Sequence, residues 1–349
     1  MKYFDMNFIQ KNTAPYNAKN ISVFNANGNK VGAVQLGTMQ IPINIGAKLY
    51  SFGALSDIHL QYDTAQADFQ KALTYLNGTE DVDFTCICGD LTVNGTVAEL
   101  TTYKQYVDTY SANTPVYAIA GNHDASHTDG YTPVTLTKDG ITPYTGHPLW
   151  YTFTKGNDVF IMMGQRRWDA YNGNNSDPFS TEELQWLYET LETNRNKRCF
   201  VFQHMMRIDG CGNPYNLYAY DGLNNTQGTV FKSLVSHYPN VIWFHGHSHT
   251  KFDMQNEVEI ANYDKLFGCH SVHIPSLSVP RDVVNGAYEK MYAESEGYVV
   301  DVYENHVILR GRDFVKEEFL PIATYRLNTT LKLIEANTYV DSTGTIKTS

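Results

Sequence analysis

Four short clusters of side chains capable of metal or proton chemistry stand out: Asp57/His59, Asp90, Asn122/His123 and His247/His249. Each falls just after a run that reads as a β-strand, and His204 follows a similar run, Cys199-Phe200-Val201-Phe202. Oxygen and imidazole donors delivered at strand ends are what a pair of divalent cations needs. Asp57 and His59 are two apart, as are His247 and His249. If extended backbone continues through them, the two-residue period sends both side chains of each pair the same way. Asp90 can bridge two cations through its two oxygens, Asn122 offers a neutral carbonyl oxygen, and His204 offers another imidazole. The seven together supply three oxygen and four nitrogen donors. That mixture suits a binuclear centre of borderline transition metals better than calcium or an all-oxygen magnesium site. A lone His at a strand end is more often capped or solvated, and Gly-Asp or Asn-His-Asp is ordinary turn material. Convergence decides the matter, because ligands in α/β sheets gather at the carboxyl ends of strands and five such junctions here carry donors.

The elements that must position these residues alternate strand and helix. Residues 49–55 form a strand leading into Ser56-Asp57-Ile58-His59. A helix follows, capped by Asp63 or Thr64, with Phe69, Ala72, Leu73 and Leu76 at helical spacing and Gly78 as its stop. The strand 84–88 delivers Gly89-Asp90, and Val97, Leu100, Tyr103 and Val107 suggest a second helix. The strand 116–120 delivers Gly121-Asn122-His123-Asp124. Residues 125–149 lack periodicity and are rich in Thr, Gly, Asp and Pro, which predicts a long loop of the kind that serves as a lid or substrate wall. Residues 150–154 and 159–163 make a hairpin, and Ser180-Thr-Glu-Glu183 is a capping box ahead of a helix with Leu184, Leu187 and Leu191 on one face. A helix over 229–237 precedes the strand 241–244 and then His245 to His249. Residues 298–303 and 306–310 pair as strands, and a hairpin around Asn25 to Asn29, turning at Gly28, occupies the N-terminal stretch. The expected class is mixed α/β, divided as a small N-terminal β extension over 1–46, a catalytic domain over 47–315 and a β-rich C-terminal extension over 316–349.

At 349 residues the chain can bury a substantial core. The excess of 37 acidic over 26 basic residues argues against a nucleic-acid groove or an anionic membrane as partner, although two bound dications would invert the local field. The five cysteines are odd in number and sit mostly in apolar runs, which reads as reduced core thiols rather than a disulfide framework. Cys86 and Cys88 would share one face of a strand and pack there. No apolar signal region and no run long enough to span a bilayer is visible, so a cytoplasmic protein is the expectation.

The ordered set SDIHL, GD, GNHD, QH and GHSH, running from Asp57 to His249, resembles the calcineurin-like metallophosphoesterase superfamily. No single piece is specific, but the ordered set is, and the short SDIHL and GDLTVNG elements are most similar to the branch of small, cyclic-nucleotide-type phosphodiesterases. The resemblance implies a four-layer αββα sandwich with metals at one edge. It assigns one metal to Asp57, His59, Asp90 and His249, and the second to Asp90, Asn122, His204 and His247, with Asp90 bridging. It makes His123 the catalytic histidine with Asp124 as its partner. The implied cofactors are two divalent or mixed-valence transition-metal ions; spacing does not distinguish manganese, iron and zinc. Residues 1–46 and those after 315 fall outside the family core.

Such a constellation hydrolyses phosphate esters. Two cations about 3.5 to 4 Å apart share a hydroxide that attacks phosphorus in line. His123 stabilises the pentacoordinate state or protonates the leaving oxygen. The expected function is that of a phosphodiesterase acting on a small phosphate ester. The alternatives are a phosphomonoesterase on the same site, or a non-catalytic binding or assembly module on the same scaffold. Oligomeric state is left open. Arg166, Arg167 and Arg207 could clamp a phosphate, but structural pairing is as good a reading for each. His245 is in phase with His247 and His249 yet lies outside the family pattern, so a packed or ligand-supporting role is expected. Tyr144, Trp150, Trp168 and Tyr171 are pocket candidates for which core packing is favoured.

Overall fold

Among the strands buried along their whole length are Tyr50–Leu55, Phe84–Cys88, Asp158–Met163, Cys199–Gln203 and Val241–His245. Strands covered on both faces have this pattern, and it is why their sequences are near-continuous apolar runs. The computed structural model describes residues 21–24, 30–34, 47–62, 64–125, 135–167, 178–206, 210–212, 223, 226–256, 261–264, 269–285, 287–329, 338–340 and 346–348.

The chain begins with β1 (Ile21–Phe24) and β2 (Lys30–Val34), an antiparallel pair forming its own two-stranded sheet. Gly28, the expected turn residue, lies outside the described residues. Alternation follows through β3 (Tyr50–Leu55), α1 (Ala65–Thr74), β4 (Phe84–Cys88), α2 (Val97–Tyr110), β5 (Val116–Ile119) and the short α3 (Thr142–Thr145). Next come the hairpin β6 (Trp150–Lys155) and β7 (Asp158–Met163), then α4 (Thr181–Thr193), β8 (Cys199–Gln203), α5 (Thr226–His237) and β9 (Val241–His245). The remainder is β-rich: β10 (Ala261–Asp264), β11 (Cys269–His273), a hairpin of β12 (Arg281–Val284) and β13 (Ala287–Lys290), β14 (Glu296–Val302), β15 (His306–Asp313) and β16 (Glu318–Asn328). The pair β17 (Thr338–Val340) and β18 (Ile346–Thr348) forms a separate small sheet.

Two six-stranded sheets carry the body, ordered β16-β15-β14-β3-β4-β5 and β10-β11-β9-β8-β7-β6. They pack face to face through an aromatic core. Phe52 and Phe84 of the first sheet meet Phe160 of the second edge-on, at 5.4 and 5.1 Å between ring centroids. Such pairs are worth roughly 0.5–1.5 kcal/mol beyond the area they bury. Cys86 and Cys88 lie in this layer, and the intervening Ile87 faces the opposite side, as a two-residue period requires. On the outer faces, Phe69, Leu73, Leu100 and Tyr103 of α1 and α2 cover the first sheet. Leu184, Leu187, Leu191, Phe231 and Leu234 of α4 and α5 cover the second. The result is a four-layer αββα sandwich. All five cysteines are buried and unbridged.

Several local expectations differ from the structure. Gly78 does not stop the first helix, which continues into a π turn over Tyr75–Thr79; the left-handed residue comes later, at Asp81 with φ 54°. Val97 is 68% exposed rather than on the buried face, because it is the first residue after the Thr96 cap. The stretch 135–149 is not featureless: Pro143 helps start α3, and Gly146 at φ 77° ends it. Strand β16 lies beyond the boundary placed at 315, yet it pairs with β15 from His306↔Asn328 to Asp313↔Glu318 and forms the edge of the first sheet.

The capping box expected at Ser180 obeys its chemistry. Ser180 Oγ accepts from the Glu183 amide, and Glu183 Oε2 accepts from the Ser180 amide at 2.6 Å. Burial pushes the Glu183 carboxyl up to about 7, against the hydrogen bonds from Ser180 that favour its charge. A carboxyl whose folded pKa is raised stabilises the native state fully below its unfolded pKa, and that stability is lost as pH rises through the folded value. Unfolding free energy is therefore expected to fall by on the order of 2 kcal/mol between pH 4.5 and 7.5 through this group. Glu183→Gln should flatten that part of the slope in urea titrations; an unaltered slope would rule Glu183 out as its source.

Candidate metal centre

The seven donors sit on loops leaving β3, β4, β5, β8 and β9, at the carboxyl edge of the two sheets. Their backbone is not extended there. Asp57, His59, Asp90, His247 and His249 have φ of 52°, 42°, 51°, 71° and 61°, so five of the seven are left-handed. The expectation that Asp57/His59 and His247/His249 align by strand periodicity is corrected accordingly: sharp turns, not a pleat, bring each pair together. Left-handed geometry costs a non-glycine residue on the order of 1 kcal/mol and persists only where the surroundings over-determine it. Here the Asp57 and His59 amides donate to Gly89 O and Asp90 O, and the Arg281 amide donates to His249 O. Neighbouring loops thus lock one another.

Close approach explains two of the glycines. A Cβ on Gly121 would run into the Asp90 backbone and carboxylate, and one on Gly246 into Ser56 and the Asp57 carboxylate. Gly-Asn-His and Gly-His-Ser-His carry glycine because a carboxylate passes directly over the backbone.

Two groups of ligand atoms lie within 4.8 Å of one another: Asp57, His59, Asp90 and His249, and Asp90, His204 and His247. Asp90 belongs to both. Asn122 Oδ1 lies 2.9 Å from His247 Nδ1, which places it with the second group. Each carboxylate has one oxygen tied down and the other facing imidazoles. Asp57 Oδ2 accepts from Ser56 Oγ and the His247 amide, while its Oδ1 lies 3.0 Å from His249 Nε2 and 3.8 Å from His204 Nε2. Asp90 Oδ1 accepts from the His123 amide, while its Oδ2 lies 3.1 Å from His204 Nε2 and 3.6 Å from His59 Nε2.

Two of the four ligand imidazoles are oriented from behind by backbone carbonyls. His204 Nδ1 donates to Cys88 O at 2.7 Å and His249 Nδ1 donates to Val279 O at 3.2 Å. With the proton held there, each Nε2 presents a lone pair to the centre. His249 Nε2 faces His59 Nε2 at 3.1 Å, and His204 Nε2 faces a carboxylate oxygen. Nitrogens this close to one another and to an anion need a positive charge between them, either a proton or a metal ion. The donor set therefore fits a pair of cations.

Charge distribution agrees. Burial opposes ionisation of Asp57 and Asp90, yet the surrounding imidazoles hold both carboxyls below the usual carboxylate range. Burial and neighbouring imidazoles keep His59 and His247 low, the latter at about 3, which is the neutral form that ligates a metal. His204 is raised to about 9: burial lowers it, but Asp90 and Asp57 beside it win. Its proton holds a place that a cation suits.

Asp124 does not act as the expected partner of His123. Its Oδ2 accepts from the Leu91 and Gly121 amides, and its Oδ1 from the Thr92 amide and hydroxyl. It clamps the loop after β4 to the loop after β5. His123 Nδ1 instead meets Val93 O at 2.7 Å, and its ring lies edge-on to His59 at 4.7 Å. His245 is fully buried with Nε2 3.1 Å from Ser271 Oγ, and stands behind the centre rather than in it. Trp150 packs in the outer layer of the first sheet, and Tyr144 is partly buried against the same cluster. Arg207, Trp168 and Tyr171 lie outside the described residues. Ser56, Thr92, Ser276 and the carbonyls of Cys88 and Val279 support the donors, yet only Ser56, adjacent to Asp57, could have been suspected from sequence; the others arrive from distant segments.

The calcineurin-like phosphoesterase family model matches residues 50–251, more than half of the chain, and the chain belongs to that family. Among solved structures, the Plasmodium protein GAP50, described as the anchor in the inner membrane complex, aligns with a TM-score of 0.51 at 14% identity, covering 83% of this chain and 91% of that one. Vps29 from Cryptosporidium parvum aligns with a TM-score of 0.38 at 11% identity, covering 81% of this chain and all of its own. No curated protein sequence matches the chain. No helix among the described residues is long and apolar enough to cross a membrane.

Two outcomes follow. Asp124→Asn leaves at least one of four inward donors facing an amide NH₂, and is expected to lower unfolding free energy by about 2–3 kcal/mol in urea titration; a change below half a kcal/mol would deny the clamp. Manganese or zinc at 100 times its dissociation constant should stabilise the fold by about 2.7 kcal/mol, read as a rise in Tm. Asp90→Asn should abolish that rise, since Asp90 serves both groups.

Proposed function

We propose that this chain is a metal-dependent hydrolase of small phosphate esters, a phosphodiesterase before a phosphomonoesterase. The observation that carries the reading is the pair of donor groups sharing Asp90 at the sheet edge. Bound there, divalent cations supply Lewis acidity toward a phosphoryl group and a lowered pKa for water. Asp57, His59, Asp90 and His249 would hold one, and Asp90, Asn122, His204 and His247 the other. The preference for a diester rests on the SDIHL and GDLTVNG elements, which are similar to those of small phosphodiesterases.

His123 is the residue for proton transfer. Donation from Nδ1 to Val93 O fixes the ring, so Nε2 is the atom that delivers a proton to the leaving oxygen. The His123 amide also holds Asp90 Oδ1, tying the catalytic side chain and the shared carboxylate to one turn. Asp124 acts at one remove, by holding that turn against Leu91 and Thr92.

A non-catalytic scaffold is the second reading, favoured by one observation: a solved structure with this fold is described as an anchor. The complete donor set speaks for the enzyme. Elemental analysis separates the two, since a scaffold would carry well under one metal per chain and gain no stability on metal addition.

His123→Ala is expected to lower kcat by about 10²- to 10⁴-fold while metal content stays unchanged. The measurement is turnover of bis(p-nitrophenyl) phosphate and p-nitrophenyl phosphate after reconstitution with defined metals. Undiminished turnover in the variant would remove His123 from the chemistry. Failure of the wild-type chain on both esters, with metals loaded, would remove the hydrolase reading.

A further inference from the structure

The hairpin of β12 and β13 supplies none of the seven donors. Its first residue is nevertheless bonded to them: the Arg281 amide donates to His249 O at 2.7 Å, and the Lys251 amide donates to Arg281 O. Across the hairpin, Arg281 stands opposite Lys290. Like charges directly opposite on an antiparallel pair destabilise it. Among the described residues, neither cation lies within ion-pair distance of a carboxylate. Asp282, the adjacent acid, is turned to Lys251 at 3.4 Å. Arg281 Nε is buried without a hydrogen-bond partner among the described residues.

Lys290 lies one aromatic ring from the first donor group. Lys290 Nζ lies 4.4 Å from the centroid of the Tyr62 ring, and that ring lies 5.1 Å from the ring of His59, a donor of the first group. Burial, and then Arg281, push the Lys290 ammonium down, so the two charges are close enough to repel. Arg281 is held from behind by the Tyr288 ring at 5.5 Å. Two half-buried cations kept together without a counter-ion, one aromatic ring away from a ligand imidazole, are a place for an anion.

We propose that Arg281 and Lys290 form an anion subsite at the rim of the metal centre, taking a second oxyanion of the substrate beyond the scissile phosphoryl group. This rests on the phosphoesterase reading and adds a substrate class to it: esters with a further phosphate or carboxylate. Tyr62 forms the wall between the two positions. A guanidinium and an ammonium suit both oxyanions, so the two sources are separated by experiment.

The test uses the full-length chain reconstituted with manganese, with metal content measured for each variant. kcat/KM is determined for ADP-ribose, which carries a second phosphate, and phosphoglycolate, which carries a carboxylate. Each is divided by the value for bis(p-nitrophenyl) phosphate, which carries neither. In Arg281→Ala/Lys290→Ala one of the two ratios is expected to fall by at least about tenfold, and which one falls names the anion. Arg281→Lys should restore part of it. Both ratios unchanged within about twofold would overturn the proposal. If the wild-type chain hydrolyses none of the three, the hydrolase reading has failed, and pyrophosphate binding to the metal-free protein by calorimetry decides the subsite. Binding weakened about tenfold in the double variant then supports it; equal binding, or none to either protein, overturns it.

Discussion

Everything at this edge of the molecule depends on dividing each carboxylate between two duties. Asp57 and Asp90 each give one oxygen to backbone amide or hydroxyl donors and turn the other toward imidazoles. The tied oxygen fixes the orientation of the carboxylate; the other can then face buried histidines at short range without rotating away. A buried carboxylate without such donors would be driven toward its neutral form by desolvation. The amides that do this come from His247 and His123, themselves neighbours of donors in the chain, so ligand geometry and loop geometry are a single constraint.

The sandwich exists to make that constraint rigid. Parallel strands β3, β4 and β5 end at the same edge, as do β7, β8 and β9, because both sets run the same way through an aromatic inter-sheet core. The loops at this edge are joined crosswise: Asp57 to Gly89, His59 to Asp90, Gly246 to His204. The left-handed backbone at five donors is strain that this cross-bracing maintains. Buried Asp124 completes the brace, its carboxyl pushed up to about 6 by burial and by Asp90 beside it, an electrostatic cost offset by four donated hydrogen bonds.

The β12–β13 hairpin stands in contrast to this closed network. Among the described residues its cations pair with no carboxylate and rest against aromatic rings, Arg281 on Tyr288 and Lys290 on Tyr62, whereas Lys251, two residues from His249, is engaged by Asp253, Asp282 and Glu294. A chain with a net charge of −11 has carboxylates in excess, and two cations without a carboxylate partner among the described residues, beside a candidate metal centre, are meaningful against that background.

Residue type and order by themselves determined which side chains could meet: two acids, an amide and four imidazoles at the ends of apolar runs mark a shared edge, because burial periodicity locates strands and α/β topology gathers their ends. The capping box at Ser180 and the shared face of Cys86 and Cys88 were legible for the same local reason. Tertiary structure decided what no local pattern contains. It placed β16 in the first sheet through pairing with β15, turned the donor pairs by left-handed kinks rather than a pleat, and gave Asp124 to Leu91 and Thr92 instead of to His123. It also set Lys290, opposite Arg281 in its hairpin, over the Tyr62 ring that lies beside His59, more than 200 residues away in the chain. Periodicity reports which face of an element is buried; hydrogen bonds between loops distant in sequence, and the charges they bring together, exist only once the chain has closed on itself.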